Sequence, residues 1–146
     1  FQAALDAFPV LPKRQCEYAL RCKYRGWTFR ATLDGYFDKR VDIENKTGNM
    51  VWFQNEAQQA LAGDTTHPDY VNYADDSMQV TFQYWVKWKK DKALFDYCQL
   101  NWVDFRAKAE QLIHTFHTTR SILQLQEFQD TVIDPVIDGI ELEAWE

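Results

Sequence analysis

Leu33-Asp34-Gly35, followed by Val41-Asp42-Ile43-Glu44-Asn45-Lys46-Thr47-Gly48, is the stretch on which the reading of the chain turns. Just upstream, Trp27, Phe29, Ala31, Leu33, Gly35 and Phe37 alternate with Thr28, Arg30, Thr32, Asp34, Tyr36 and Asp38. A period of two over that length predicts a strand. Asp38-Lys39-Arg40 then reads as a three-residue loop into a further strand, 41–46. With that loop Phe37 pairs with Val41 and Gly35 with Ile43, so Asp34 falls opposite Glu44. The apolar set shares the core face in this register, and a slip of one residue would turn all of it over. The same register brings Asp34 and Glu44 to a Cβ separation of about 4.5–5.5 Å, with Lys46 on their side.

Working outward, Cys16, Tyr18, Leu20, Cys22 and Tyr24 alternate with Glu17, Arg21 and Lys23, and Arg25-Gly26 supplies a turn. Residues 15–47 therefore read as a three-stranded antiparallel meander, with Cys16 and Cys22 as small core residues. Before it, Phe1, Ala4, Leu5 and Phe8 suggest the tail of an amphipathic helix ended by Pro9, and Phe1 is not an initiator, which suggests a missing N-terminal neighbour. After it, 48–77 is irregular, with a short helix suggested across Asn55–Leu61. Asp75-Asp76-Ser77 signals a helix start, and Met78 to Lys90 carries Val80, Phe82, Tyr84, Trp85, Val86 and Trp88 before a basic end. Leu94 to Val103 reads as a fourth strand. From Asp104 to about Thr131 the spacing of Phe105, Ala109, Leu112, Ile113, Phe116 and Leu123 predicts one long helix, which places His114 and His117 three apart on a helix, a spacing that can hold a metal or simply mark surface histidines.

The composition supports one packed domain over residues 1–146, with 104–146 as a helical C-terminal extension: 46% of residues are hydrophobic, with six Trp and ten Phe. A net charge of −6 and a pI near 5.0 repel nucleic acid overall, so DNA binding needs a local basic surface or a cation. Cys16, Cys22 and Cys98 form no C-x-x-C pair, which argues against a zinc site or disulfide framework and for a reducing, cytoplasmic compartment. No run approaches a membrane-spanning length.

Two carboxylates across a hairpin repel unless something neutralises them, and oxygen donors select Mg²⁺ or Mn²⁺. The backbone carbonyl of Asn45 offers another ligand, and Lys46 can orient a water or stabilise a phosphate. The alternative is a solvated surface ion pair of little consequence. Lys87, Lys89 and Lys90, interleaved with Trp85 and Trp88, suggest a phosphate-tracking surface, or lysines snorkelling at a helix end.

Leu-Asp-Gly followed by an apolar strand ending Glu-x-Lys-Thr-Gly resembles the PD-(D/E)XK nuclease superfamily, and Lys46-Thr47-Gly48 is similar to its RecB-like and phage exonuclease branches. The resemblance implies a mixed α/β, restriction-endonuclease-like core: helix, three-stranded meander, helix, fourth strand, then the C-terminal helix. It implies that Asp34 and Glu44 bind Mg²⁺ or Mn²⁺, that Lys46 is the catalytic lysine, and that the next helix carries a Gln-x-x-x-Tyr motif. Gln79 opens that motif; Gln83 stands four residues on, with Tyr84 one position later as a DNA contact. Some members add an acid before the strands, for which Asp6 and Glu17 are the candidates here. Without a C-terminal cysteine triplet, the resemblance brings no iron–sulfur cluster. The expected function is a Mg²⁺-dependent DNA nuclease, exonuclease before endonuclease, in bacterial or phage recombination, repair or DNA processing. The alternatives are an inactive nuclease-like module that binds DNA, a protein partner or itself within a larger assembly, and an unrelated aromatic-rich interaction domain.

Overall fold

The computed structural model describes residues 16–47, 75, 77–103 and 113–143. The expected helices near 1–12 and 55–61, and Asp6, lie outside them. Five strands form one sheet in sequence order: β1 (Cys16–Tyr24), β2 (Trp27–Phe37), β3 (Val41–Thr47), β4 (Tyr97–Val103) and β5 (Ile113–Thr118). β1, β2 and β3 are antiparallel, β3 and β4 parallel, and β4 and β5 antiparallel. A parallel step needs a crossover, and helix α1 (Met78–Asp91) lies within it. Helices α2 (Ile122–Phe128) and α3 (Asp134–Glu143), joined by a π-helical turn at Gln129–Ile133, complete the described chain. This is the mixed α/β class expected from the sequence.

Local chemistry sets the boundaries. Arg25 and Gly26 take φ of 52° and 81°, as a tight hairpin turn requires. At the next corner Asp38 and Lys39 are also left-handed, and Arg40 N donates to Phe37 O at 3.0 Å. Helix α1 starts at Ser77, whose hydroxyl accepts from Val80 N at 3.4 Å, and ends at Lys92 (φ 54°), whose amide donates to Trp88 O at 2.7 Å. The π turn precedes Pro135, which cannot donate to the carbonyl four residues back, while the Thr131 hydroxyl donates to Glu127 O at 2.8 Å.

The core lies between one sheet face and the helices. Trp85, fully buried, meets Tyr24 and Phe29 edge-on at 5.5 and 5.0 Å, and its indole N–H donates to Gln129 Oε1 at 3.2 Å. Arg25 reaches Asp134 (3.3 Å) and Asp138 (2.7 Å), and the Tyr24 hydroxyl donates to Asp134 Oδ1 at 2.8 Å, tying the first hairpin to α3.

Several expectations are corrected. Residues 113–118 are a strand, so the single helix over 104–131 does not form and His114 and His117 are strand residues, where a spacing of three puts positions on opposite faces. The Ile113-His114-Thr115-Phe116-His117-Thr118 run is β-branched and aromatic, and Ser121 with Gln124 forms a capping box that starts α2 afresh: Gln124 N donates to Ser121 Oγ at 3.2 Å and Ser121 N to Gln124 Oε1 at 2.8 Å. Leu123, placed on the expected apolar stripe, is 79% exposed. The fourth strand begins at Tyr97, with Phe95 before it in the core, and Cys16 is exposed while Cys22 is buried. Among the described residues no helix is long and apolar enough to cross a membrane.

The meander register is as read, with Phe37 opposite Val41 and Gly35 opposite Ile43. The face assignment is not. Leu33 and Tyr36 both join the core cluster, so the alternation of β2 slips by one at Asp34-Gly35. The ladder steps over Asp34: Cys16 pairs with Gly35 and Tyr18 with Leu33, while Glu17 between them takes φ 50°. Past the slip Phe37 turns outward, 48% exposed. The slip predicts unequal costs for two apolar truncations on β2. Leu33→Ala should destabilise by about 2–5 kcal/mol and Phe37→Ala by less than about 1 kcal/mol, measured by urea unfolding; equal losses would contradict it.

Candidate active site

The strand that strict alternation assigns to solvent buries its acids. Asp42 is fully buried and Glu44 is 2% exposed, because β3 is flanked by β2 and β4 and covered on that face by α1. Each Glu44 oxygen has one amide donor from α1: Gln79 Nε2 reaches Oε2 at 3.1 Å and Gln83 Nε2 reaches Oε1 at 2.7 Å. Residues four apart on a helix share a face, which is how two glutamines grip one carboxylate. Gln79 Oε1 accepts from Lys46 Nζ at 2.6 Å. The amide orientation is forced, since the ammonium needs an acceptor and the carboxylate a donor. Gln79 thus bridges Lys46 and Glu44.

Asp34 sits at the slip in β2. Its Oδ2 accepts from Asn45 N at 2.8 Å, so a side-chain bond stands where the β2–β3 ladder, which runs from Gly35 to Phe37, has ended. Asp34, Glu44, Lys46 and Gln79 therefore come together as the sequence places them, with Asn45 tied to Asp34 through its amide. On the reverse face the Asn45 side chain accepts from Asn101 Nδ2 at 3.0 Å, and buried Asn101 accepts from Gln99 at 3.0 Å and Thr115 at 3.1 Å.

Charge balance is uneven. Burial first, and then the Asp34 carboxylate, push Glu44 from the usual 4.5 up to about 7, with the Gln83 amide and Lys46 pulling the other way. Asp42 rises well above the carboxylate range through burial and then the Glu44 charge, eased by the Cys98 thiol beside it, and neither of its oxygens meets a hydrogen-bond donor within ordinary geometry.

Three contributors escaped the sequence reading. Gln83 occupies the place of the motif tyrosine, and its spacing of four from Gln79 was the signal. Asp42 lies two residues before Glu44 on the same face. Arg120, 4% exposed, donates to Thr81 Oγ1 (2.8 Å), Ser77 O (3.2 Å) and Thr118 Oγ1 (2.7 Å), clamping the first turn of α1, on either side of Gln79, to the end of β5.

Two expected DNA contacts are corrected. Tyr84 is fully buried, its ring edge-on to Phe95 at 5.0 Å and its hydroxyl 3.4 Å from Thr118 O. Lys87 is 5% exposed; its ammonium donates to the Tyr36 hydroxyl at 2.8 Å and pairs with Asp91 at 2.7 Å. Both fall on the inner face of α1, which a helical period of 3.6 dictates once Val80 and Gln83 face the sheet. Lys89, partly exposed, rests over the Trp88 and Tyr24 rings at 4.4 and 4.9 Å, and Lys90 is at the surface near Asp91 at 3.9 Å.

Comparison with solved structures gives a likeness of fold. A crystal structure of an alkaline exonuclease, LHK-Exo from Laribacter hongkongensis, matches with a TM-score of 0.53 at 17% sequence identity, over 83% of this chain and 53% of that one. At that identity the likeness is one of fold: a mixed five-stranded sheet with helices, consistent with a restriction-endonuclease-like core. This chain spans about half the length of that exonuclease. No protein-family model matches the sequence, and no curated protein sequence does.

The raised Glu44 affinity for protons carries a stability signature. A carboxyl that binds its proton more tightly when folded stabilises the fold most below the unfolded value of 4.5, and loses that contribution as pH rises through about 7. Without divalent metal, Glu44→Gln should therefore exceed the parent in stability by up to about 3 kcal/mol at pH 8 and match it near pH 4.5. Thermal or urea unfolding at the two pH values measures this; no gap at pH 8 would contradict it.

Proposed function

We propose that this chain is a divalent-metal-dependent nuclease that hydrolyses phosphodiester bonds in DNA, acting as an exonuclease before an endonuclease. The observation that carries the reading is the Lys46–Gln79–Glu44 bridge beside Asp34, which holds an ammonium and two carboxylates together without a direct Lys46–Glu44 ion pair. The exonuclease preference is supported by the name of the fold neighbour and by the Glu-x-Lys-Thr-Gly ending.

The donor set fits a hard cation. Asp34, Glu44 and the Asn45 backbone carbonyl are oxygen donors at one point of the sheet, and two neighbouring carboxylates, one with a raised proton affinity, are stabilised by positive charge between them. Mg²⁺ or Mn²⁺ suits them, because Mg²⁺ keeps several waters and takes one or two carboxylates. Such an ion, when bound, supplies a water of lowered pKa and positive charge beside the phosphate. The remaining work falls to the chain. Gln79 fixes the Lys46 ammonium, which orients the attacking water or meets the charge that develops on the phosphoryl oxygens. Gln83 and Gln79 hold the Glu44 oxygens in one orientation, so ligand geometry is set before substrate arrives. Ionised Glu44 is the form that binds a cation, so activity should fall as pH drops below about 7 at limiting metal.

The test is hydrolysis of linear and circular duplex DNA with Mg²⁺ or Mn²⁺. Lys46→Ala should lower kcat about 10²–10³-fold, Gln79→Ala about 10–100-fold, and Asp34→Asn should abolish the response to metal; linear DNA should be degraded and circular DNA spared. Cleavage unchanged in Lys46→Ala would overturn the mechanism. DNA or protein binding with no cleavage under any divalent metal would support the inactive nuclease-like module instead.

A further inference from the structure

The outer face of the first hairpin carries charges that no described residue balances. Leu20, Cys22, Ala31 and Leu33 point to the core, so Arg21, Lys23, Thr28, Arg30 and Thr32 point away, and all five are exposed. Arg21 is paired directly with Arg30, and Lys23 with Thr28. Cross-strand partners have Cβ atoms about 4.5–5.5 Å apart, and like charges directly opposite are destabilising. Among the described residues neither arginine nor Lys23 makes an ion pair or side-chain hydrogen bond, although the chain has 22 acidic residues against 16 basic ones. Arg25, by contrast, two positions on in the same hairpin, has three acidic partners on α3.

The row has a direction. From the cations the row runs through Ala19 and Thr32, which pair, to the slip at Glu17 and Asp34, beyond which the candidate active site lies on the α1 side of the sheet. Arg30 and Asp34 are four residues apart on β2, about 13 Å at 3.3 Å per residue. Phosphates are the groups that neutralise a facing arginine pair through bidentate contact, with exposed threonine hydroxyls as additional donors.

We propose that Arg21, Lys23 and Arg30 form a docking surface for the phosphate backbone of duplex DNA, on the face of the first hairpin turned away from α1. The inference rests on the nuclease reading for the identity of its ligand. It explains how an acidic chain holds a polyanion, and it moves the contact away from the buried Lys87 and Tyr84.

Fluorescence anisotropy of a 20-base-pair duplex, in EDTA across a salt series, tests the surface apart from catalysis. The R21Q/K23Q/R30Q variant should bind at least tenfold more weakly than the parent near 0.1 M salt, and its log–log salt slope should fall by about 2–3, near 0.9 per lost phosphate contact. Its unfolding midpoint should be equal to or above the parent's, and with Mn²⁺ it should hydrolyse thymidine 5′-p-nitrophenyl phosphate, too short to reach the surface, at the parent rate. Equal affinity and slope in parent and variant would overturn the docking surface while leaving the nuclease reading intact. Patch-dependent binding with no hydrolysis of either substrate would overturn the nuclease reading and leave the surface standing. Displacement of the duplex by polyglutamate as effectively as by unlabelled duplex would mean an acidic protein partner and would also overturn the proposal.

Discussion

The constraint on which this structure depends is the satisfaction of one buried carboxylate. Glu44 lies in an interior strand under a helix, where an unpartnered charge is prohibitively costly, and both of its oxygens are met by amide donors four residues apart on α1. That requirement fixes the rotation of α1 about its axis. Once Gln79 and Gln83 face β3, Val80, Tyr84 and Lys87 are carried inward, and Trp85 packs against the first hairpin. Arg120 then holds the first turn of the helix in place. Asp42 goes without such donors, and its burial beside Glu44 favours the protonated form.

Much of this was legible in the sequence, for identifiable reasons. The hairpin register followed from apolar alternation and an odd loop, and the start of α1 from Ser77 and its following apolar residues. The faces were not legible, because a charged strand set reads as solvent-facing until the covering helix is known, and because a single slip at Asp34 hides inside an otherwise regular alternation. Strand β5 was misread since Ile113, Phe116 and Leu123 fit a helical stripe as well as a strand followed by a new helix; the Ser121–Gln124 capping box was the discriminating signal. Tyr84 follows from a motif resemblance and Lys87 from its place in a basic, Trp-interleaved run, whereas burial depends on helix phase.

The slip at Asp34 also links fold to chemistry. A residue skipped by the ladder on both sides is free to use its side chain, and Asp34 uses it to hold the Asn45 amide between the acid and the lysine of the Glu-x-Lys segment. The fold of this chain thus carries a local device that gathers its charged groups at one point of the sheet.

The most direct test is the titration of Glu44 itself. Carboxyl-¹³C NMR of glutamate-labelled protein, with Glu44→Gln to assign the signal, should show a midpoint near 7 in metal-free protein, shifted downward when Mg²⁺ is added. A midpoint near 4.5, unmoved by Mg²⁺, would contradict a buried, glutamine-held, cation-binding Glu44 and with it the account of the site.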